Sequence, residues 1–296
     1  MTTPSPVSRR SGARRMSDVP LEIVAALNRG EIETVNLMEW LAADMGHLAS
    51  VVAEEASDLT LRKRLKAAGS AMAGAGVTGR LKLAGRAIAE ATRCHSPDFS
   101  RLKAHRSDLV RQWACYAVND SARGVSVEQR LEETRQFAAD SNMSVRETAW
   151  MAFRPHLAAN LDQVLPLLER LTLDPDDNIR RFAVEVTRPR SVWGAHIPQL
   201  KTNPERAEPL LDQVREDASR YVKLAVGNWL NDASKTRPDW VQALCRRWSS
   251  SENLHTRFMI KRGLRTLHSD GAGATTVAPM FEVATPQRHE EMELAS

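Results

Sequence analysis

A chain of 296 residues can bury a sizeable core in one or two domains. Leucine, alanine, arginine and glutamate dominate, and aromatic residues make up only 5%, a balance that favours an all-helical protein. No apolar run approaches the ~20 residues that cross a bilayer, which excludes a spanning helix. The three cysteines, Cys94, Cys115 and Cys245, are far apart and odd in number, so reduced thiols are expected rather than a disulfide framework. With a formal net charge of only +4, any affinity for a polyanion must come from a local patch.

The chain opens with MTTPSPVSRRSGARRMS, which holds Arg9, Arg10, Arg14 and Arg15 and no acid. It lacks an apolar core or an amphipathic pattern, so residues 1–18 are expected to be a disordered basic leader rather than a targeting signal. Residues 19–96 form an N-terminal helical region. Leu21, Val24 and Leu27, then Leu37, Trp40 and Leu41, recur at helical spacing, and Gly30 interrupts them where a glycine takes the helix-ending conformation. GSAMAGAGVTG is a small-residue joint, and RCHSPDFS (93–100) reads as a loop. Cys94-His95 lacks further ligands, so it is expected to be structural, and no metal site is expected.

From residue 101 to about 268 the chain repeats itself. Val110-Arg111, Val145-Arg146, Ile179-Arg180, Val222-Lys223 and Thr256-Arg257 follow one another at intervals of 35, 34, 43 and 34 residues. Second helical patterns such as NLDQVLPLLERLTL lie between them. A period of this size with two helices per unit is the signature of an α-solenoid of HEAT-like repeats, here with N-terminal capping helices. The 43-residue interval contains RPRSVWGAHIPQLKTNPER, a long join of the kind that falls on a binding face. Residues 269–296 show little periodicity and read as a disordered tail.

Counting from the first residue of each pair, positions two, six, nine and thirteen share a helix side. That side carries Glu147, Met151 and Arg154 in one helix, Arg181, Glu185 and Arg188 in the next, and Asn228, Asn231 and Lys235 in the third, with Asp232 beside them. Stacking of repeats should merge them into one polar surface. A solvated face with ordinary ion pairs is the plainer alternative. The recurring basic residue at position one reads as a brace onto an adjoining turn. Trp113 and Trp150 sit at core spacing and Trp229 is ambiguous. Trp193 follows a helix break, where its ring is free to cover a base or sugar.

Two stretches, RRFAVEVTRPRSVWG and NWLNDASKTRP, resemble the HEAT-like-repeat DNA alkylation repair glycosylases of the AlkC/AlkD superfamily. They are similar to the AlkC patterns RRxxxExxRPRxxW and NxLNDxSKxxP, and LNRGEIETVNLMEWLAADM near the amino end also looks AlkC-like. The tandem-tryptophan motif of the AlkD branch is not evident, and the last ~28 residues are shorter than a domain, so the chain resembles the branch without an immunoglobulin-like module. The resemblance implies a concave basic surface that grips duplex DNA and removal of cationic N-alkylated bases such as 3-methyladenine, without metal or organic cofactor. A carboxylate would stabilise the oxocarbenium-like charge on the sugar. Asp232 and Glu147 are the expected catalytic residues. Arg154, Arg181, Arg188, Arg190, Trp193, Asn228, Trp229, Asn231 and Lys235 are the expected DNA contacts, while Glu185 is expected to brace Arg181 and Arg188. A monomer acting in the cytoplasm, at the nucleoid when bound to DNA, is the matching expectation. A non-catalytic binder of unusual DNA structures and a protein-interaction scaffold are the rival readings.

Overall fold

In the computed structural model, residues 10–92 and 96–269 are described, and they contain seventeen α-helices and no strand. The N-terminal region holds α1 (Leu21–Asn28), α2 (Leu37–Ala42), α3 (Met45–Glu55), α4 (Leu59–Ala71) and α5 (Val77–Ala91). The following repeats hold α6 (Pro97–Lys103), α7 (Asp108–Val118), α8 (Val127–Ala138), α9 (Met143–Ala159), α10 (Leu161–Leu171) and α11 (Asp177–Val186). After the long join come α12 (Pro198–Thr202), α13 (Glu208–Gln213), α14 (Arg220–Ser234), α15 (Pro238–Trp248), α16 (Leu254–Gly263) and α17 (Arg265–Ser269). No helix among the described residues is long and apolar enough to cross a membrane.

Five of these helices begin alike. Three residues before each aligned pair stand Ser107, Asn142, Asp176, Ser219 and Asn253, at the N-caps of α7, α9, α11, α14 and α16. The last four accept a backbone N–H in the first turn, which satisfies one of the donors a helix start leaves open. With α5 placed before them, these helices stack in the order α5, α7, α9, α11, α14, α16 to form one layer; α8, α10 and α15 lie against it as the second, with α13 against α10. Trp113, Phe153, Phe182 and Trp229 are sealed between the layers. Full burial of one phenylalanine contributes roughly 1.5–3 kcal/mol, so stacking accounts for the order of the array.

The basic residue at position one is the expected brace. Arg111, Arg146 and Arg180 each donate to the carbonyls five and six residues back: His105 and Arg106, Asp140 and Ser141, Asp174 and Pro175. Arg111 and Arg180 also reach forward one repeat, to Asp140 and Asp217 at 2.8 and 2.6 Å. Lys223 contacts His255 instead.

The N-terminal region docks as a cap through polar groups. Buried Asp108 accepts the backbone N–H and hydroxyl of Thr34 at 2.9 and 2.6 Å, and the Trp40 indole donates to Gln112 at 3.0 Å. Glycine lets two helix pairs approach closely. A Cβ at Gly85 of α5 would lie 2.5 Å from that of Tyr116 on α7, and one at Gly263 2.7 Å from that of Leu230.

Two expectations are revised. The 93–100 stretch contains the start of α6, because Ser96 caps the Phe99 amide and Pro97 occupies the first turn. Within the leader expected to be disordered, Met16–Asp18 forms a 3₁₀ turn and Arg10 is ion-paired with Glu39 at 2.7 Å. Residues 1–9, the Cys94-His95 pair and residues 270–296 lie outside the described residues.

Candidate functional site

A cleft of about 100 Å³ opens where α9, α11, α14 and the join after α11 meet. Each helix contributes charge at the phase its stacking dictates, and the charges alternate. Glu147 Oε1 on α9 lies 2.5 Å from Arg181 on α11, and Arg181 lies 3.8 Å from Glu185 one turn on. Arg188, just past the end of α11, contacts Glu185 at 2.5 Å and Asp232 of α14 at 2.7 Å. Lys235 closes the series 3.5 Å from Asp232. The stripe expected from helical spacing is therefore a continuous ladder of ion pairs across three repeats.

Packing fixes the ladder in place. The Arg181 guanidinium lies 4.1 Å from the centre of the Tyr221 ring, a cation–π contact strengthened by desolvation. The Trp150 indole donates to Glu147 Oε2 at 2.7 Å, and the Tyr221 hydroxyl approaches Oε1 at 3.4 Å. Burial raises the Glu147 carboxyl above the ordinary glutamate value against the pull of Arg181, and the neighbouring Glu185 charge adds to the rise. Burial also opposes ionisation of Glu185, but Arg188 and Arg181 outweigh it and hold that carboxyl below the ordinary value. The wall thus has one carboxylate whose ionised form is favoured and one whose charge is poorly tolerated. It also has four arginines (154, 181, 188 and 190) against the two glutamates.

The long join is an ordered part of this wall. Arg154 runs beneath it and donates to Val186 O, Arg188 O and Ala195 O at 2.8, 2.6 and 2.8 Å. Burial and the adjacent Arg188 charge lower its pKa to about 10, which leaves it charged at neutral pH. Arg190 also lines the cleft, has no ion pair among the described residues, and keeps a buried Nε without a hydrogen-bond partner. Half-buried Trp193 faces both the cleft and a second cavity of about 480 Å³ on the far side of the join.

Several expected contacts are turned inward. Arg154 is 2% exposed and spends its donors on carbonyls. Trp229 is fully buried against Trp240, with its indole N–H on Thr187. Asn231 is buried and bonds Gly263 O and Thr266. None of the three is available to a ligand, because α14 and α9 present those positions to neighbouring helices and to the join. Arg181 lines the cleft but is fully engaged within the ladder. Asn228 lines it while accepting from Arg262 and Arg265. Asp232 is joined to Arg188 but is not on the cleft wall. Tyr221 and the polar role of Trp150 escaped sequence reasoning. An aromatic residue directly before the Val222-Lys223 pair was the available signal for the first.

Residues 147–267 match the family described as DNA alkylation repair enzyme. The match covers the later repeats and is a similarity over that segment. The match begins at Glu147 and takes in every charge of the ladder. The uncharacterized protein YhaZ of Bacillus subtilis (strain 168) is 36% identical over 124 residues, 42% of this chain and 34% of that protein. The match thus spans about a third of that relative's length. Among solved structures, the alkylpurine DNA glycosylase AlkC of Pseudomonas fluorescens, bound to DNA containing an abasic site analog, superposes with a TM-score of 0.65. It shares 20% identity, with 88% of this chain and 67% of that chain covered, and establishes the shared fold. AlkD2 of Streptococcus mutans gives a TM-score of 0.47 at 21% identity over 75% of this chain and 98% of that one.

Proposed function

We propose that this protein is a DNA glycosylase that hydrolyses the N-glycosidic bond of cationic N-alkylated bases, such as 3-methyladenine, in duplex DNA. The observation that carries the reading is the charge ladder, which fixes Glu147 and Glu185 on the wall of a cleft with surplus arginine, inside the segment matched to the DNA alkylation repair family. A phosphodiester strand suits the surplus positive charge. Arg188, Arg190, Trp193, Asn228 and Lys235 are the residues proposed to meet it.

A base alkylated at N3 already carries positive charge and leaves readily. As the C1′–N bond breaks, the electron pair returns to the base, which departs neutral, and positive charge moves to the deoxyribose. A fixed anion stabilises that charge best if it needs no reorganisation. Glu185, held ionised by two arginines, meets this requirement. Water then adds to C1′ and surrenders a proton, for which Glu147 is the proposed acceptor. Asp232 was the principal candidate from the motif. It is reassigned to positioning Arg188, since it contacts that guanidinium and does not face the cleft.

The test is release of free methylated base from alkylated duplex DNA. Glu185→Gln is expected to lower the single-turnover rate on the order of a hundredfold or more, as loss of one transition-state charge contact does. Glu147→Gln should be comparably slow at neutral pH. Asp232→Asn should retain measurable turnover and weaken duplex binding through Arg188. A wild-type protein that binds the duplex but releases no base would make it a non-catalytic DNA-binding protein. Binding absent or insensitive to salt would instead support a protein-interaction scaffold.

A further inference from the structure

The join between α11 and α12 carries a feature that the ladder does not use. Its shoulders are fastened: Arg154 bonds Arg188 O on one side and Ala195 O on the other, and Ile197 N donates to Pro189 O at 3.1 Å. Between them Val192 is 67% exposed. Of the large apolar side chains exposed among the described residues, only Val192 lines the cleft. Trp193 packs against the core directly behind it, and unpaired Arg190 lies two residues before it. An exposed valine on a free loop could fold back to escape water. Here the backbone is fixed at both ends and the side chain stays presented.

We infer that Val192 is a wedge that enters the duplex at the damaged step, with Arg190 holding the adjoining phosphate. The inference rests on the DNA-repair reading above and adds the means by which damage is found. Apolar side chains inserted between base steps unstack and kink a duplex, and the cost falls where the step is already weakened. An alkylated or missing base weakens its step, so a wedge of fixed height enters there at lower cost than in intact DNA. It brings C1′ of that nucleotide towards Glu147 and Glu185. Val192 is a positioning and specificity residue, since it touches neither the scissile bond nor the water.

The test compares an intact duplex with one carrying a tetrahydrofuran abasic-site analogue flanked by 2-aminopurine. Binding of the wild type is expected to raise 2-aminopurine fluorescence through unstacking, and to favour the analogue duplex by about tenfold. Val192→Ser should lose both the fluorescence rise and the preference, leave affinity for intact duplex within about twofold, and melt at the wild-type temperature because the side chain is exposed. Val192→Ile should restore both. Arg190→Ala should weaken both duplexes equally and reduce the salt dependence by about one phosphate contact. Retention of wild-type preference and fluorescence by Val192→Ser overturns the wedge, as does failure of the wild type to raise the fluorescence. Failure of the wild type to release methylated base overturns the reaction instead, and leaves the fluorescence comparison to decide the wedge.

Discussion

Glu147 and Glu185 lie on adjacent helices and share Arg181, yet their surroundings push their ionisation in opposite directions. Burial dominates at Glu147, which has one cation against it and a second carboxylate nearby. Glu185 is gripped from both sides by arginine. A raised folded pKa means that Glu147 stays protonated above the ordinary value of 4.5 and gains charge only as pH climbs through the raised value. A proton acceptor must be ionised, so base release should rise with pH through a midpoint above 4.5 and then level off. For Glu185 the sign is reversed. Its depressed pKa contributes stability that is present above 4.5 and lost as pH falls through the folded value, so it stays charged across the rising limb. Single-turnover rates between pH 4.5 and 8 check this, and Glu147→Gln should abolish the limb. A limb that survives in that variant would remove Glu147 from proton transfer. Helical spacing was enough to assemble the ladder on one face. It could not tell which edge of the stripe looks into the cleft, so Arg154, Trp229 and Asn231 were expected outside although neighbouring elements cover them.

The join after α11 shows how one buried side chain organises a whole element. Its length and its Arg-Pro-Arg start were visible as a surplus in the repeat interval. The arginine that anchors it comes from α9, more than thirty residues earlier, and no local pattern announces such a partner. Arg154 offers three donors to three carbonyls of the join. Its replacement by methionine leaves those acceptors without donors in a buried place, at a cost of about 3 kcal/mol. Lysine should recover little, because one ammonium group cannot reproduce the planar fork. Urea denaturation should report the loss, and trypsin should cleave after Arg190 faster than in the wild type once the shoulders are released. Unchanged cleavage together with unchanged stability would mean that the join is held by other contacts. The five stacked repeat helices were easier to read, since a recurring pair near the start marks each of them. The start of α6 was missed because the glycine-poor loop signal hid a Ser-Pro cap.

Across the whole molecule, the family match covers only the second half, from Glu147 onwards, whereas the stacked layer begins at α5. In a solenoid each repeat is stabilised chiefly by its neighbours, so a cut through the stack removes an interface as well as a segment. Here the interface is intimate: α5 meets α7 at the Gly85–Tyr116 approach, and Asp108, Gln112 and Asn142 of the repeats are satisfied by Thr34 and Trp40 of the cap. Without the cap, Asp108 keeps only the Ser144 hydroxyl and Gln112 as protein partners and must turn to water for the rest. A chain comprising residues 97–269 should therefore melt below residues 10–269, by roughly 6–12 °C if about 3 kcal/mol of interface is lost from a domain of this size. Asp108→Asn should destabilise the long chain and leave the short one nearly unchanged, because only in the long chain is the carboxylate buried and satisfied by the Thr34 donors. Melting followed by circular dichroism distinguishes the cases. Equal melting temperatures for the two chains would show that the repeats carrying the cleft stand alone, and that the cap contributes to the molecule something other than its stability.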